Sequence, residues 1–144
     1  MILVDLNQVM ISNLMVQLGN QAGELDENLF RHMILNSLRS NRSKFTDKFG
    51  ELVICCDDKN FWRRQRFPYY KANRKKYREE STVDWSTVFN TLNKVREEIR
   101  DYFPYKVIKI DTAEADDIIG TITTKYHSAE PILILSGDKD FIQL

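Results

Sequence analysis

Cysteine and histidine are scarce in this chain, with two residues of each among 144. Cys55 and Cys56 are adjacent, so in a strand their side chains point to opposite faces and cannot readily bridge each other. We therefore predict neither a structural disulfide nor a thiol-based metal site. His32 and His127 each stand alone, which favours surface or packing positions over metal ligation.

Long apolar runs are also missing, and stretches such as residues 132–135 are only a few residues long. A membrane-spanning helix needs about 20 apolar residues. Asp5 interrupts the first apolar stretch, which argues against a signal peptide. We expect no membrane partner and a cytoplasmic location, in the host cell if the protein is phage-encoded. A length of 144 residues, 42% of them hydrophobic and 29% charged, predicts one globular domain over residues 1–144.

Net charge is absent too, because 21 basic and 21 acidic residues cancel. The two signs are nevertheless separated along the chain: residues 59–78 contain basic side chains and no acid, whereas residues 111–144 are predominantly acidic. Aromatic residues interleave with the basic ones, and this combination suits phosphates and stacked bases. We predict a partner that is single-stranded nucleic acid, with a solvated basic helix face as the alternative. The candidate binding residues are Arg64, Arg66, Tyr70, Arg74, Lys75 and Lys76.

The hydrophobic pattern predicts alternating strands and helices. Strands are expected at residues 1–6, 51–56, 105–110 and 131–135, and helices at 9–18, 26–42, 84–102 and 114–126. Asp26 can cap the second helix. Residues 58–82 lack a clean period, contain Pro68 and are expected to be irregular or partly helical. The basic tract within this stretch, residues 59–78, is expected to be poorly ordered without substrate because its cations have no local acids and its period is indistinct. The alternation indicates an α/β fold with a parallel twisted sheet and helices on both faces.

Acidic residues follow each predicted strand or begin the element after it. Because ligands collect at the carboxyl ends of parallel strands, these acids should meet at one edge of the sheet. A cluster of like charges is unfavourable unless cations neutralise it, and oxygen ligands without His or Cys select Mg²⁺ or Mn²⁺. Such a site suits phosphodiester hydrolysis. The candidate metal residues are Asp5, Asp57, Glu114, Asp116, Asp117, Asp138 and Asp140.

A simpler interpretation exists for single members of this set. An acid after a strand is often a turn residue or a helix cap, and Glu114, Asp116 and Asp117 could complement the dipole of the helix that they begin. The recurrence of acids at four strand ends, together with the basic and aromatic tract, favours the metal site.

Several motifs, in order and spacing along nearly the whole chain, resemble the 5′ nuclease family. This family includes the flap endonucleases, the 5′-3′ exonuclease domain of bacterial DNA polymerase I and phage enzymes, and the phage members are the most similar. The motifs are Leu3-Val-Asp5, Cys56-Asp57, Phe61-Trp-Arg63-Arg64, Tyr70-Lys71-Ala-Asn-Arg74, Arg78-Glu-Glu-Ser-Thr82, Glu114-Ala-Asp116-Asp117 and Ser136-Gly-Asp138-Lys-Asp140-Phe141.

The resemblance implies a PIN-like, resolvase-like catalytic domain that removes RNA primers and short flaps at 5′ ends in phage DNA replication. Arg63 and Lys71 would reach the scissile phosphate from an arch formed by residues 59–82, and Tyr70 and Arg74 would line the passage beneath it. The carboxylates would hold two Mg²⁺ or Mn²⁺ ions, or metal-bound water, with Asp117 in support. The implied partners are 5′ flaps, RNA–DNA hybrids and single-stranded 5′ ends.

Family members continue into a helix-hairpin region that grips duplex DNA and adds metal-site aspartates, whereas this sequence stops at Leu144. We therefore expect that region to be absent and the second ion to lack some ligands, unless a separate polypeptide supplies them. Two alternatives stay open. One is a small PIN-type ribonuclease, which needs no long arch. The other is a catalytically incomplete fragment that binds nucleic acid or a protein partner.

Overall fold

A computed structural model describes residues 1–20 and 24–144. The strands are β1 (Ile2–Asp5), β2 (Leu52–Cys56), β3 (Lys106–Lys109) and β4 (Leu133–Leu135). The helices are α1 (Leu6–Asn20), α2 (Glu27–Phe49), α3 (Trp62–Arg66), α4 (Ala72–Glu79), α5 (Trp85–Tyr102) and α6 (Ala115–Tyr126), and a 3-10 helix covers Lys139–Gln143. None of the helices in these ranges combines the length and apolar character needed to cross a membrane.

The four strands form one parallel sheet in the order β3-β2-β1-β4. In the register of the sheet, Leu3 of β1 lies between Val53 of β2 and Ile134 of β4. The central strands β1 and β2 are buried throughout, as parallel strands covered on both faces should be. The predicted parallel α/β fold is therefore confirmed.

Two hydrophobic clusters cover the two faces of the sheet. Alternate side chains of β1 and β2 pack with α1, α2 and α5 on one face and with α6 on the other. Cys56 belongs to the first cluster and Cys55 to the second, and both thiols are free and buried. The prediction that these two cysteines do not pair is confirmed, because the strand sends them to opposite faces.

The helix boundaries differ from the sequence prediction in two places. The first helix begins at Leu6 rather than residue 9, because Asp5 accepts a hydrogen bond from the N–H of Gln8. The second begins after the predicted cap Asp26, but it continues past residue 42 to Phe49, whose ring packs against the core. Gly50, at φ 83°, then ends that helix in a backbone conformation that favours glycine.

Candidate active site at the carboxyl edge of the sheet

A cavity of about 870 Å³ lies at the carboxyl ends of the strands. Asp5 is the last residue of β1, Asp57 follows β2, and Asp138 follows β4. Glu114 caps α6 after the β3 turn, and Asp116 lies in the first turn of that helix. All five carboxylates line the cavity, so the sheet brings together acids that are far apart in the sequence.

Backbone and amide donors hold Asp5 and Asp57 in place. Asp5 Oδ1 accepts from the N–H of Gln8 at 3.1 Å, which caps the start of α1. Asp57 accepts from Asn7 Nδ2 at 2.5 Å with one oxygen and from the N–H of Ala115 at 2.6 Å with the other. Asp57 therefore joins the first turns of α1 and α6, and the positions of these acids follow directly from the packed core.

Burial and neighbouring carboxylates raise the pKa of two acids at this edge, Asp5 and Asp116. Burial, with the nearby charges of Asp57 and Asp116, raises the pKa of Asp5 to about 6. Burial is also the main cause of the raised pKa of Asp116, and the charges of Asp57, Asp138 and Glu114 add to it. Close negative charges disfavour ionisation, so a bound cation at this edge would be stabilising.

Glu114 is almost fully buried, and its two oxygens accept bonds from three residues of the basic segment, residues 59–82. Lys71 Nζ donates to Oε1, while Arg63 and the Tyr70 hydroxyl donate to Oε2 at 2.8 and 2.9 Å. Lys71 also approaches the rings of Phe61 and Tyr70. The basic segment is thus docked across the carboxylate edge through one buried acid.

Asp117 makes a second attachment to the same segment. Its carboxylate receives two bonds from Arg63, at 2.7 and 2.9 Å, and one from Trp62 Nε1 at 3.0 Å. Although burial acts to raise the pKa of Asp117, these bonds from Arg63 and Trp62 keep it below the usual value. Asp117 also completes a capping box with Glu114 at the start of α6.

Two of the seven candidate metal residues do not lie in the cavity, and this corrects the expectation that all seven share one small volume. Asp117 turns away because its carboxylate caps α6 and pairs with Arg63. Asp140 is exposed in the 3-10 helix, where its N–H donates to Asp138. Across residues 1–20 and 24–144, no group of three or more Asp, Glu, His or Cys residues is arranged so that it could hold a metal ion.

The basic segment is partly helical, as predicted, but the reason given for poor order is wrong. Its helices α3 and α4 contain no buried residue. Its cations nevertheless form ion pairs. Arg63 and Lys71 pair with acids brought near by the fold, and Lys75 and Lys76 pair with Glu79 and Glu80 at the end of α4. Arg64 and Arg74 line the cavity, whereas Arg66, Lys75 and Lys76 are exposed beside it.

Sequence reasoning missed Asp58, which also lines the cavity. One oxygen of Asp58 accepts from Lys109 Nζ at 2.7 Å, and the other accepts from the N–H of Thr112 at 2.9 Å. Chiefly through the bond from Lys109, these contacts hold the pKa of Asp58 well below its ordinary range. Thr112 has φ 65°, so Asp58 stabilises the strained turn that presents Glu114. Its place directly after Asp57, at a strand end, was the available signal.

Trp85 has two environments in the structure. The ring packs against the hydrophobic cluster that includes Val88, Leu92, Val95 and Ile99, all of which are buried. Trp85 also lines the cavity, together with Phe89 one turn later.

Residues 28–144 match the family of 5′-3′ exonucleases, through the model of its N-terminal resolvase-like domain. The chain belongs to this family, and the resemblance predicted from the motifs is confirmed. Among its relatives, ribonuclease H of Enterobacteria phage T4 is 40% identical over 146 aligned positions, which cover 99% of this chain and 48% of that protein. A 5′-3′ exonuclease of Streptomyces coelicolor is 32% identical over 68% of this chain and 34% of its own length. The chain thus spans half or less of these relatives.

Solved structures share the fold. A phage T5 protein co-crystallised with metal ions superposes with a TM-score of 0.73 over 97% of this chain and 48% of its own, at 16% identity. A phage T5 flap endonuclease, in a pseudo-enzyme–product complex with DNA and metal ions, gives a TM-score of 0.68 over 99% of this chain and 50% of its own, at 18% identity. These matches establish the resolvase-like architecture.

Proposed function

We propose that this chain is the catalytic part of a metal-dependent 5′ nuclease, which hydrolyses phosphodiester bonds at 5′ ends as an exonuclease and flap endonuclease. The observation that carries the proposal is that the five candidate metal ligands of the cavity lie at the same edge of the sheet as the basic segment, which is docked there through Glu114. Family membership supports the same chemistry.

The cavity residues suit hard divalent cations. Their donors are carboxylate oxygens, the ligands that Mg²⁺ and Mn²⁺ prefer, and the pKa values of Asp5 and Asp116 are raised by burial and, in addition, by neighbouring carboxylates. We propose that Asp5, Asp57, Glu114, Asp116 and Asp138 hold such ions, two in the complete enzyme, with Asp140 and Asp117 in supporting positions. Bound ions would supply Lewis-acid stabilisation of the attacking and leaving oxygens. The metal-bound T5 relative supports this assignment.

Arg63 and Lys71 are proposed as the catalytic cations. In the substrate-free chain they neutralise Glu114, the most deeply buried acid of the edge. When a phosphodiester enters, we propose that both side chains turn from Glu114 to the phosphate and stabilise the negative charge that develops on its oxygens. Their location on a segment without buried residues permits this movement.

The rest of the basic segment is proposed to act as an arch over a single-stranded 5′ end. Arg64 and Arg74 would contact phosphates within the cavity, Tyr70 would line the passage, and exposed cations would add general affinity. The latter are Arg66, Lys75 and Lys76. A passage lined by cations and rings suits single strands better than duplexes, because unpaired bases can stack on the rings.

The proposed substrates are RNA primers and short 5′ flaps, in the cytoplasm of a phage-infected cell. The name of the phage T4 relative, ribonuclease H, and the DNA complex of the T5 flap endonuclease support this choice. Because those relatives are about twice as long, we propose that efficient action on duplexes requires a C-terminal region, in the same or a separate polypeptide.

One observation favours a second candidate, a module that binds nucleic acid without cutting it. Both oxygens of Glu114 accept hydrogen bonds from Arg63, Tyr70 and Lys71, so this buried acid is already paired within the chain. A module of this kind would bind single strands stoichiometrically and show no metal-dependent turnover.

The test is digestion of a 5′-labelled flap duplex by the chain with Mg²⁺, Mn²⁺ or a chelator. We expect slow, metal-dependent release of short 5′ products, and a larger increase on flap duplexes than on free single strands when a polypeptide carrying the C-terminal half of the phage T4 relative is added. Binding without turnover, even with that polypeptide present, would support the second candidate. Equal, full activity of the chain alone on both substrates would indicate a self-sufficient small ribonuclease.

A further inference from the structure

Two aromatic rings form a wall of the cavity that the carboxylate chemistry does not use. Trp85 and Phe89 lie one turn apart on α5, with ring centroids 5.8 Å apart and planes tilted by 35°. Phe89 is 38% exposed although it is large and apolar. Both rings line the cavity that also contains Asp5 and Asp116.

The indole nitrogen of Trp85 is a buried donor without a protein partner. Among residues 1–20 and 24–144, no acceptor lies within hydrogen-bonding distance of its Nε1. Buried donors are nearly always paired, since an unpaired one costs free energy. The packing of the core around Trp85 therefore leaves the polar edge of its indole ring unsatisfied.

Basic side chains of α4 face the same rings. The Arg78 guanidinium lies 5.2 Å from the centroid of Phe89, which is a cation–π distance. Arg74, one helical turn earlier, and the largely exposed Tyr77 line the cavity beside it. The wall thus offers aromatic ring faces and positive charge together, which matches a base attached to a phosphate backbone rather than an apolar peptide.

We infer that Trp85 and Phe89 form a stacking subsite for one base of a single-stranded nucleic acid, with Arg74 and Arg78 on the adjoining phosphates. This inference rests on the proposed function for the identity of the ligand, and it adds a contact outside the carboxylate edge. The subsite holds the strand at a fixed distance from the scissile bond. A core role alone does not account for the exposed face of Phe89 or for the position of both rings at the cavity.

The test uses a set of 3′-labelled oligo(dT) strands, each with a single abasic nucleotide at a different position. Affinity is measured by fluorescence anisotropy in a chelator so that cleavage does not interfere. The intact chain should lose affinity about tenfold at one position, the usual size of one base–aromatic stack, and much less elsewhere. In the Trp85→Leu protein, affinity for the intact strand should fall by a similar factor, and the sensitivity at that position should disappear.

Two further measurements keep the result independent of folding. In a Trp62→Phe background, Trp85 is the remaining tryptophan, and intact oligo(dT) should quench its emission, whereas the strand with the critical abasic position should quench it much less. Tyr102→Leu is the matched control, because Tyr102 is an 82% exposed aromatic residue at the far end of α5. That variant should retain normal affinity and position dependence.

The outcomes separate this inference from the proposed nuclease. A uniform abasic profile, or Trp85 emission that does not respond to the strand, would overturn the subsite, even if metal-dependent cleavage is found. A single critical position that depends on Trp85, in a chain that shows no cleavage, would establish the subsite and exclude the proposed nuclease activity. No binding of single strands at all would overturn the subsite, and digestion of the flap duplex would then decide the nuclease separately.

Discussion

The carboxylate edge of the sheet and the basic segment opposite it are built in contrasting ways. Asp5 and Asp57 emerge from strands that are buried throughout, and backbone N–H groups hold their oxygens. The helices of the basic segment bury no residue, and the cations of that segment reach the fold through Glu114 and Asp117.

Because of this difference, the position of the basic segment depends on the acidic edge more than the acidic edge depends on the basic segment. The acids are positioned by the packed core, whereas the cations are positioned largely by the acids. We expect changes in the basic segment to leave the carboxylate edge intact, while changes in Glu114 or Asp117 alter the basic segment. A well-packed acidic edge beneath a weakly anchored cationic segment suits a site in which Arg63 and Lys71 leave Glu114 when a phosphate binds and return to it afterwards.

The largest expected effect is at the acidic edge. Asp116→Asn should lower Mg²⁺-dependent cleavage at least about 100-fold, because it removes a proposed metal ligand. Thermal stability should be unchanged or higher, since burial and neighbouring charges already raise the pKa of this carboxyl. Single-turnover cleavage and thermal melting are the measurements. Asp111→Asn, an exposed acid in the preceding turn, is the control, and an equal loss there would contradict a specific role for Asp116.

A smaller kinetic effect is expected in the basic segment. Replacing Arg63 and Lys71 together by Gln should slow cleavage roughly tenfold or more while weakening binding about threefold, because their proposed role is in the transition state. The paired control replaces Lys75 and Lys76, whose side chains are 79% and 77% exposed, and should weaken salt-sensitive binding more than turnover. Equal losses in cleavage and binding for the first pair would make Arg63 and Lys71 ordinary phosphate contacts.

Stability should respond to pH through Asp5. The folded chain holds this proton more tightly than the unfolded chain, since the pKa rises from 3.8 to about 6. Stabilisation is therefore present at low pH and lost as the pH rises through about 6. In a chelator, unfolding at pH 5 should cost about 1 kcal/mol more than at pH 7, a rise of roughly 3 °C in Tm. Asp5→Asn should flatten this dependence, and an unchanged slope would place its origin elsewhere.

The smallest effect is expected on the outer surface of the basic segment. Glu79→Gln should change the free energy of unfolding by less than about 0.5 kcal/mol, because its pairing with Lys75 joins two exposed side chains on one helix. Glu98→Gln is the comparison, since Glu98 joins α5 to Arg31 of α2 through two hydrogen bonds. Urea denaturation measures both. A larger loss for Glu79 would mean that α4 is anchored more firmly than its exposure indicates.

The sequence by itself determined the alternation of strands and helices, the acid that follows each strand, and the helix cap at Asp26. These features depend on local periodicity and on the chemistry of one or two neighbouring residues, so a linear pattern contains them. Parallel strands then require that their carboxyl ends meet, which predicts a shared edge for Asp5, Asp57 and Asp138 without knowledge of distances.

Only the tertiary structure decided which charges meet. Glu114 and Lys71 are separated by 43 positions, and Arg63 and Asp117 by 54, so no local pattern could show that these pairs form. Other long-range contacts bring Asp58 to the N–H of Thr112 and pack Trp85 against the core at one wall of the cavity. The pairing of Asp117 with Arg63 likewise keeps the Asp117 carboxylate outside the cavity. Periodicity describes which face a side chain occupies, whereas the partner on that face depends on how distant elements pack.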